Sequence, residues 1–167
     1  IQSLEILRGA ASGLYGNAAG GVLSFQTDEP TEKITFGLQT TFGSFGFQKY
    51  NAKTGFTLGR LGVHLSATHN RTNGFREHSR MNQTIVNGKF RYQISSAAKL
   101  TLILNVGSSP LAEDAGGLTS EQITENRRQA RPQNTKFNAG ESVNHQKHAP
   151  IFEKRWSEKH QLKVMAF

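Results

Sequence analysis

The sequence contains no cysteine, so neither a disulfide nor a thiolate metal site can stabilise its fold. It also lacks any long apolar run. A hydrophobic content of 35% is low for a packed globular core, and a mean hydropathy of −0.52 excludes a transmembrane helix. Membrane-spanning strands remain possible, because only every second residue of such a strand needs to be apolar. The sequence begins at Ile1 with neither a starting Met nor a signal-peptide pattern, so we expect it to be an internal piece of a longer protein.

Motifs for catalysis and metal binding are also missing. No Gly-x-Ser-x-Gly elbow occurs, and no two histidines stand at a metal-ligand spacing with a third ligand nearby. We therefore predict no enzyme, no resident cofactor and no metal site. The histidines are interpreted as polar strand and loop residues: His64, His69, His78, His145, His148 and His160.

The net charge of +8 would suggest nucleic acid or an anionic surface as the partner of a soluble domain. The basic residues are spread along the chain, however, with one concentration at Arg127, Arg128 and Arg131. Aromatic residues fall mainly at strand positions opposite the Lys and Arg residues, which does not favour stacking of bases on a basic face. We predict no nucleic-acid partner.

Residues 1–27 consist of two short apolar segments around a glycine-rich loop. The pattern predicts strand, loop and strand, with glycines where positive φ or close backbone approach is needed. We expect the loop to pack tightly against another part of the protein. Neither a Walker loop nor a dinucleotide fingerprint is present, since Gly20-Gly21 is followed by a strand pattern and not by Lys and Ser/Thr or a helix.

This stretch resembles the end of the plug domain of TonB-dependent outer-membrane receptors of the ferric-siderophore type. The likeness covers about the first 30 residues and is carried by Leu4-Glu5-Ile6-Leu7-Arg8-Gly9, Ser12-x-Leu14-Tyr15-Gly16 and Ala19-Gly20-Gly21-Val22. The motif positions taken from it are Arg8, Gly9, Ser12, Tyr15, Gly16, Gly20 and Gly21. The resemblance implies that a transmembrane barrel follows and that Arg8 pairs with a carboxylate of the barrel wall.

After a polar break at 28–32, apolar and polar residues alternate. We predict strands at 33–43, 47–58, 61–73, about 83–94, 100–107, 143–156 and 161–167, most of them about 10 to 12 residues long. The sixth is a weak assignment because Pro150 lies inside it. Short links at 59–60, 95–97 and 157–159 alternate with longer ones at 74–82 and 108–142, and the first hairpin link, 43–46, is short. Within 108–142, Thr119 and Gln122 have capping-box spacing, which predicts a helix that ends before Pro132.

The fold expected from these patterns is all-β. It is a partial antiparallel transmembrane β-barrel of about seven strands, preceded by the C-terminal part of a plug domain. Residues 1–30 would be plug and linker, and residues 31–167 the N-terminal part of the barrel. Bacterial barrels have short periplasmic turns and longer outer loops, so the longer links are expected outside the cell.

Function follows from the resemblance. It implies import of a scarce ligand, most often a ferric siderophore, across the outer membrane of a Gram-negative bacterium. The partners would be outer-membrane lipid and the TonB–ExbB–ExbD complex, which would act on a segment before Ile1. Arg127, Arg128 and Arg131 are candidate ligand contacts in the longest outer loop, although solvated charges would look the same. The polar faces raise a similar choice between an anion-attracting lumen and ordinary plug-facing residues at Lys49, Lys53, His64, Lys89 and Arg91.

Three alternatives remain. A passive porin or adhesin-like barrel would share the strand pattern. A non-functional truncated receptor would also share it, and so in part would a soluble basic β protein. The ligand itself is left open between siderophore, haem, cobalamin and sugar.

Overall fold

The computed structural model describes residues 3–10, 13 and 18–166. Within them lie nine strands and two short helices. None of the helices in the described part of the chain is long and apolar enough to cross a membrane. The elements are β1 (Ser3–Arg8), β2 (Gly21–Gln26), β3 (Thr35–Phe42), β4 (Gln48–Leu58), β5 (Leu61–Thr72), β6 (Met81–Ser95), β7 (Ala98–Glu113), α1 (Ser120–Asn126), α2 (Pro132–Lys136), β8 (Gly140–Arg155) and β9 (Gln161–Met165).

Strands β3 to β9 form one antiparallel sheet in which every strand pairs with its neighbours in sequence. The sheet is open, because β3 and β9 form its two edges and do not pair with each other. β1 and β2 form a separate two-stranded antiparallel sheet. The prediction of an all-β chain with antiparallel strands is therefore confirmed.

Strand register gives the large sheet one apolar and one polar face, since alternate residues of a strand point to opposite faces. One apolar row runs through Leu58, Leu61, Tyr92, Leu100, Phe152 and Val164. A polar row on the other face runs through Lys53, Ser66, Asn87, Asn105 and Lys147.

The apolar face is exposed. The exposed fraction is 74% for Phe36, 68% for Leu38 and 75% for Leu58. No part of the described chain covers these side chains. The few buried apolar residues are small and scattered along the chain: Ala18, Val63, Ala98, Ala115, Ala130 and Ala149.

Two tight turns are built on positive φ angles. Gly59 has φ +57° in the two-residue link between β4 and β5, and the first position of a type II′ turn requires such a positive φ. In the first hairpin, Phe45 (φ +58°) and Gly46 (φ +69°) occupy the centre of a turn closed by a hydrogen bond from Phe47 N to Ser44 O (3.2 Å). A phenylalanine in the left-handed region is uncommon, so Phe45 is held there by its surroundings.

The insertion between β7 and β8 is shorter than the predicted 108–142, because both strands extend into it and it spans 114–139. The strand predicted at 143–156 is confirmed, and Pro150 does not weaken it: β8 is 16 residues long and includes that proline. The carbonyl of Pro150 accepts a hydrogen bond from Ala166 N (3.2 Å) on the β9 side, and the missing N–H faces the same side, where the ladder ends at Met165. Pairing with β7 therefore stays intact. Pro110 falls at a register shift of β7, another position that tolerates proline.

Candidate ligand-binding loops and linker site

Three links meet at one end of the large sheet, and we call residues 43–47, 73–80 and 114–139 the loop cluster. Backbone hydrogen bonds join them directly. Asn73 N donates to Phe45 O (2.9 Å), and Glu77 N donates to Arg128 O (2.7 Å). The links therefore form one connected surface at this end of the sheet.

Two phenylalanines form the centre of that surface. The rings of Phe45 and Phe75 meet edge to face with centroids 5.3 Å apart. Arg127 Cζ lies 5.5 Å from the centre of the Phe75 ring, and Arg128 Cζ lies 5.8 Å from the centres of both rings. Each such contact contributes about 0.5–1 kcal/mol at an exposed site. A guanidinium that stacks on a ring keeps N–H donors free for an anionic ligand.

Arg76 ties the insertion to the β5–β6 link. Its guanidinium donates to the carbonyls of Gln129 (Nε, 2.9 Å), Gly116 (Nη1, 2.6 Å) and Ala115 (Nη2, 3.0 Å). The three carbonyls come from both ends of segment 115–129, so a single side chain holds that segment in place. Gly116 adopts φ +68°, a conformation that favours glycine at this bend.

A charged group closes the base of the loop cluster. Arg80 Nη2 pairs with Glu113 Oε1 (2.5 Å), and His78 Nδ1 lies 3.8 Å from the same oxygen. The Glu113 side chain is only 6% exposed. The hydrogen bond from Arg80 is the main cause that lowers the pKa of the Glu113 carboxyl below its usual value, against the opposing effect of burial. Glu113 is the last residue of β7 and lies at the loop end of that strand.

Helix α1 has the predicted capping box. Thr119 Oγ1 accepts from Gln122 N (3.3 Å), and Gln122 Oε1 accepts from Thr119 N (3.0 Å). Its first turn carries Glu121. Hydrogen bonds from its own backbone N–H and from the Thr119 hydroxyl lower the pKa of the Glu121 carboxyl. α1 ends at Asn126, and Pro132 begins the separate helix α2.

The three arginines predicted as ligand contacts are not equivalent. Arg127 and Arg128 come together on the phenylalanine pair, whereas Arg131 starts α2, where its Nε donates to Gln133 Oε1 (3.3 Å). A shallow cleft of about 260 Å³ lies beside Arg127 and is lined by Phe75, Arg76, Leu118 and Ile123. The cleft offers apolar contact and two guanidinium groups, that of Arg127 and that of Arg76, which is bonded to three carbonyls. This lining suits a ligand that is both apolar and anionic.

Sequence reasoning missed Phe45, Phe75 and Arg76. Both phenylalanines stand next to a glycine in a predicted link, Phe45 before Gly46 and Phe75 after Gly74. A large aromatic residue in a glycine turn is a usable signal for a contact that holds the loop. No comparable local signal marks Arg76.

At the opposite end of the sheet, the linker 27–34 lies against the polar face. Glu29 accepts hydrogen bonds from Lys89 Nζ (Oε1, 2.6 Å) and Arg91 Nη1 (Oε2, 3.2 Å), both from β6. We call Glu29, Lys89 and Arg91 the linker site. Two of the cations considered for an anion-attracting lumen are therefore already paired with a carboxylate.

Glycines on the polar face make room for the linker. A Cβ at Gly62 would lie 2.9 Å from Pro30 Cβ, and one at Gly55 would lie 3.2 Å from Thr31 Oγ1. Both distances are below ordinary van der Waals contact, so a side chain at either position would displace the linker. The close approach of linker side chains to the backbone of the sheet explains these two glycines.

The plug-like motif is only partly within the described residues, since Ser12, Tyr15 and Gly16 lie outside them. Arg8 ends β1 and is exposed, with no ion pair to another described residue. Among the described residues, nothing lies within 4 Å of a Cβ placed at Gly9 or Gly20, so the tight packing expected of the loop is not found at these two positions. Gly9 is explained by its φ of +93°. Gly21 has φ +134° and lies close to the Leu7 carbonyl, where a Cβ would come within 2.5 Å.

Within residues 3–10, 13 and 18–166, no three His, Asp or Glu side chains are grouped so that they could hold a metal ion. No protein-family model matches the sequence. The geometry of the loop cluster, the linker site and the two sheet faces therefore carries the functional argument.

Proposed function

We propose that this chain is part of a TonB-dependent receptor of the outer membrane, covering the last part of the plug and the first strands of the barrel. One observation carries the proposal. A seven-stranded antiparallel sheet exposes a continuous apolar face, while its polar face receives the linker from a preceding strand–glycine loop–strand unit. A soluble protein would be expected to bury such a face, and lipid would cover it.

The length of the apolar face fits the thickness of an outer-membrane bilayer. In β6 the apolar positions run from Val86 to Ile94. At about 3.3 Å per residue this run covers about 26 Å of strand. A strand tilted by about 40° would carry it across about 20 Å, close to the apolar band of about 25 Å on outer-membrane barrels. Beyond Val86 the same face turns polar at Thr84 and Asn82, as expected where a strand leaves the hydrocarbon.

The two open edges fit a larger barrel. Unpaired backbone groups are not tolerated in hydrocarbon, so the proposal requires further strands to cover β3 and β9. It also assigns the loop cluster to the outside of the cell. There Arg127 and Arg128, with Arg131 nearby, would contact an anionic ligand such as a ferric siderophore. The plug would then rearrange under the pull of TonB–ExbB–ExbD and release the ligand to the periplasm.

The docked linker favours this reading over a passive porin. In the structure, Glu29 and Pro30 lie on the polar face, where an open pore would need water. A plug segment held against the wall fits gated import better than free diffusion.

Uptake measurements test the proposal. Iron-starved Gram-negative cells that express the natural protein should accumulate a radiolabelled ferric siderophore, and loss of TonB or of the proton-motive force should abolish accumulation. Uptake that persists without TonB would favour the passive channel. A protein found only in the soluble fraction would contradict the membrane assignment.

A further inference from the structure

We propose that Lys89 and Arg91 form a carboxylate-binding site that Glu29 fills in this structure and that a multivalent anionic ligand can occupy in its place. This inference deepens the proposed function, because the competing anion would be the imported ligand on its way past the plug. The chain's own carboxylate shows the chemistry of the site. Glu29 Oε1 lies 2.6 Å from Lys89 Nζ, and Glu29 Oε2 lies 3.2 Å from Arg91 Nη1.

The exposure of the side chains at the linker site allows Glu29 to be replaced by another anion. The Lys89 side chain is 13% exposed and Arg91 is 32% exposed, so the cations are partly desolvated and fixed in position. Glu29 is 48% exposed. Its carboxylate can therefore leave into water at modest cost, since half-exposed ion pairs are weak. A more highly charged anion would gain more from the same two cations than Glu29 does.

The surroundings of the linker site add positive charge. A cleft of about 390 Å³ adjoins it, and Lys99 and Lys163 also line this cleft. Glu153 pairs with Lys99 (3.1 Å), while Lys163 forms no ion pair with another described residue. The cleft thus holds four cations and two carboxylates, which leaves an excess of positive charge for an anionic ligand.

Binding there would be coupled to the linker. Phe25, Gln26 and Thr27 at the end of the two-stranded sheet line the same cleft. An anion that displaces Glu29 would remove the ion pairs that hold the linker and so loosen the connection between residues 3–27 and the sheet. By linkage, any force that pulls the linker away would in turn raise the affinity of the site for anions.

Citrate binding to the purified protein, measured by isothermal titration calorimetry, tests the site. Citrate is the probe because it carries three carboxylates in a small molecule. Glu29→Gln should bind citrate about 5- to 30-fold more tightly than the unmodified protein, since the intramolecular competitor is gone. Lys89→Gln combined with Arg91→Gln should abolish this binding in the Glu29→Gln background. Glu32→Gln is the matched control, because it makes the same charge change in the same linker without a contact to either cation.

Equal citrate affinity in Glu29→Gln and the unmodified protein, or an equal gain in Glu32→Gln, would overturn the proposal. A thiol provides a second readout in this cysteine-free chain. Pro30→Cys places it at a buried linker position, and citrate should accelerate its alkylation. An unchanged alkylation rate at saturating citrate would also contradict the coupling. These measurements are independent of transport. Failed uptake together with citrate competition at the linker site would contradict only the receptor function. Normal uptake without citrate competition would contradict only the linker site.

Discussion

Arg76→Ala should detach the middle of the insertion from the rest of the loop cluster. The substitution removes three hydrogen bonds from a charged donor, at 2.6–3.0 Å, to the carbonyls of Ala115, Gly116 and Gln129. Bonds to a charged group contribute about 1.5–3 kcal/mol each when water cannot replace them. Arg76 is only half-buried, and water will solvate part of the freed carbonyls. We therefore expect a local loss of about 2–4 kcal/mol in total.

That loss corresponds to about a 30- to 1,000-fold increase in the population of the open insertion. Amide hydrogen exchange followed by mass spectrometry measures it, with Glu77 N and Arg131 N as reporters because both donate across the contact. Arg127→Ala is the matched control. It removes one exposed cation–π contact and should change exchange by less than about fivefold. Equal protection in Arg76→Ala and the unmodified protein would show that Arg76 does not hold segment 115–129 in place.

Three further results are expected. Gly62→Ala should lower the free energy of unfolding by about 1–3 kcal/mol, because the new methyl group would overlap the linker proline, Pro30. The loop cluster should lose stability as pH falls through the lowered pKa of Glu113. A carboxyl whose pKa is lower in the folded than in the unfolded state stabilises the fold above its unfolded pKa, near 4.5. This stabilisation is lost as the pH falls through the folded pKa, so hydrogen exchange of the insertion should rise only in acid. Leu38→Arg should destabilise the protein in bilayers by about 2–4 kcal/mol, measured by urea titration of the folded fraction.

Each of these has an informative control. Gly117→Ala introduces a methyl group where nothing lies within 4 Å, so a similar loss of stability would argue against the linker contact. Arg80→Ala should raise the pKa of Glu113 towards its usual value and remove the acid dependence; an unchanged pH profile would place its cause elsewhere. Gln39→Arg puts the same charge on the opposite face and should cost little.

The sequence predicted the sheet because the two faces are encoded by local alternation. In β3 and β4 apolar and polar side chains alternate with few exceptions, such as Thr40 and Thr54 on the apolar face, so strand positions, turns and faces could all be assigned. Alternation fails in the last third of β7, where Gly107, Ser108 and Ser109 carry no apolar signal. That failure, with Pro150 in β8, made the insertion look longer than it is.

The contacts that build the candidate sites could not be predicted in the same way. Arg76 bonds to carbonyls 39 to 53 residues further along the chain, and Glu29 pairs with cations 60 and 62 residues away. Nothing in the local pattern distinguishes these residues from solvated charges. Arg127 and Arg128 were identified as a charge cluster, but their aromatic partners come from two other links.

Spin labels can measure lipid contact of the apolar face directly, because the chain has no native cysteine. Single cysteines in place of Phe36, Leu38, Gln39 and Thr41, labelled in bilayers, sample both faces of β3. Labels at 36 and 38 should be accessible to oxygen and protected from a water-soluble nickel chelate, with the opposite result at 39 and 41. Equal access of the nickel chelate to all four labels would show that the apolar face meets water and would rule out its contact with lipid.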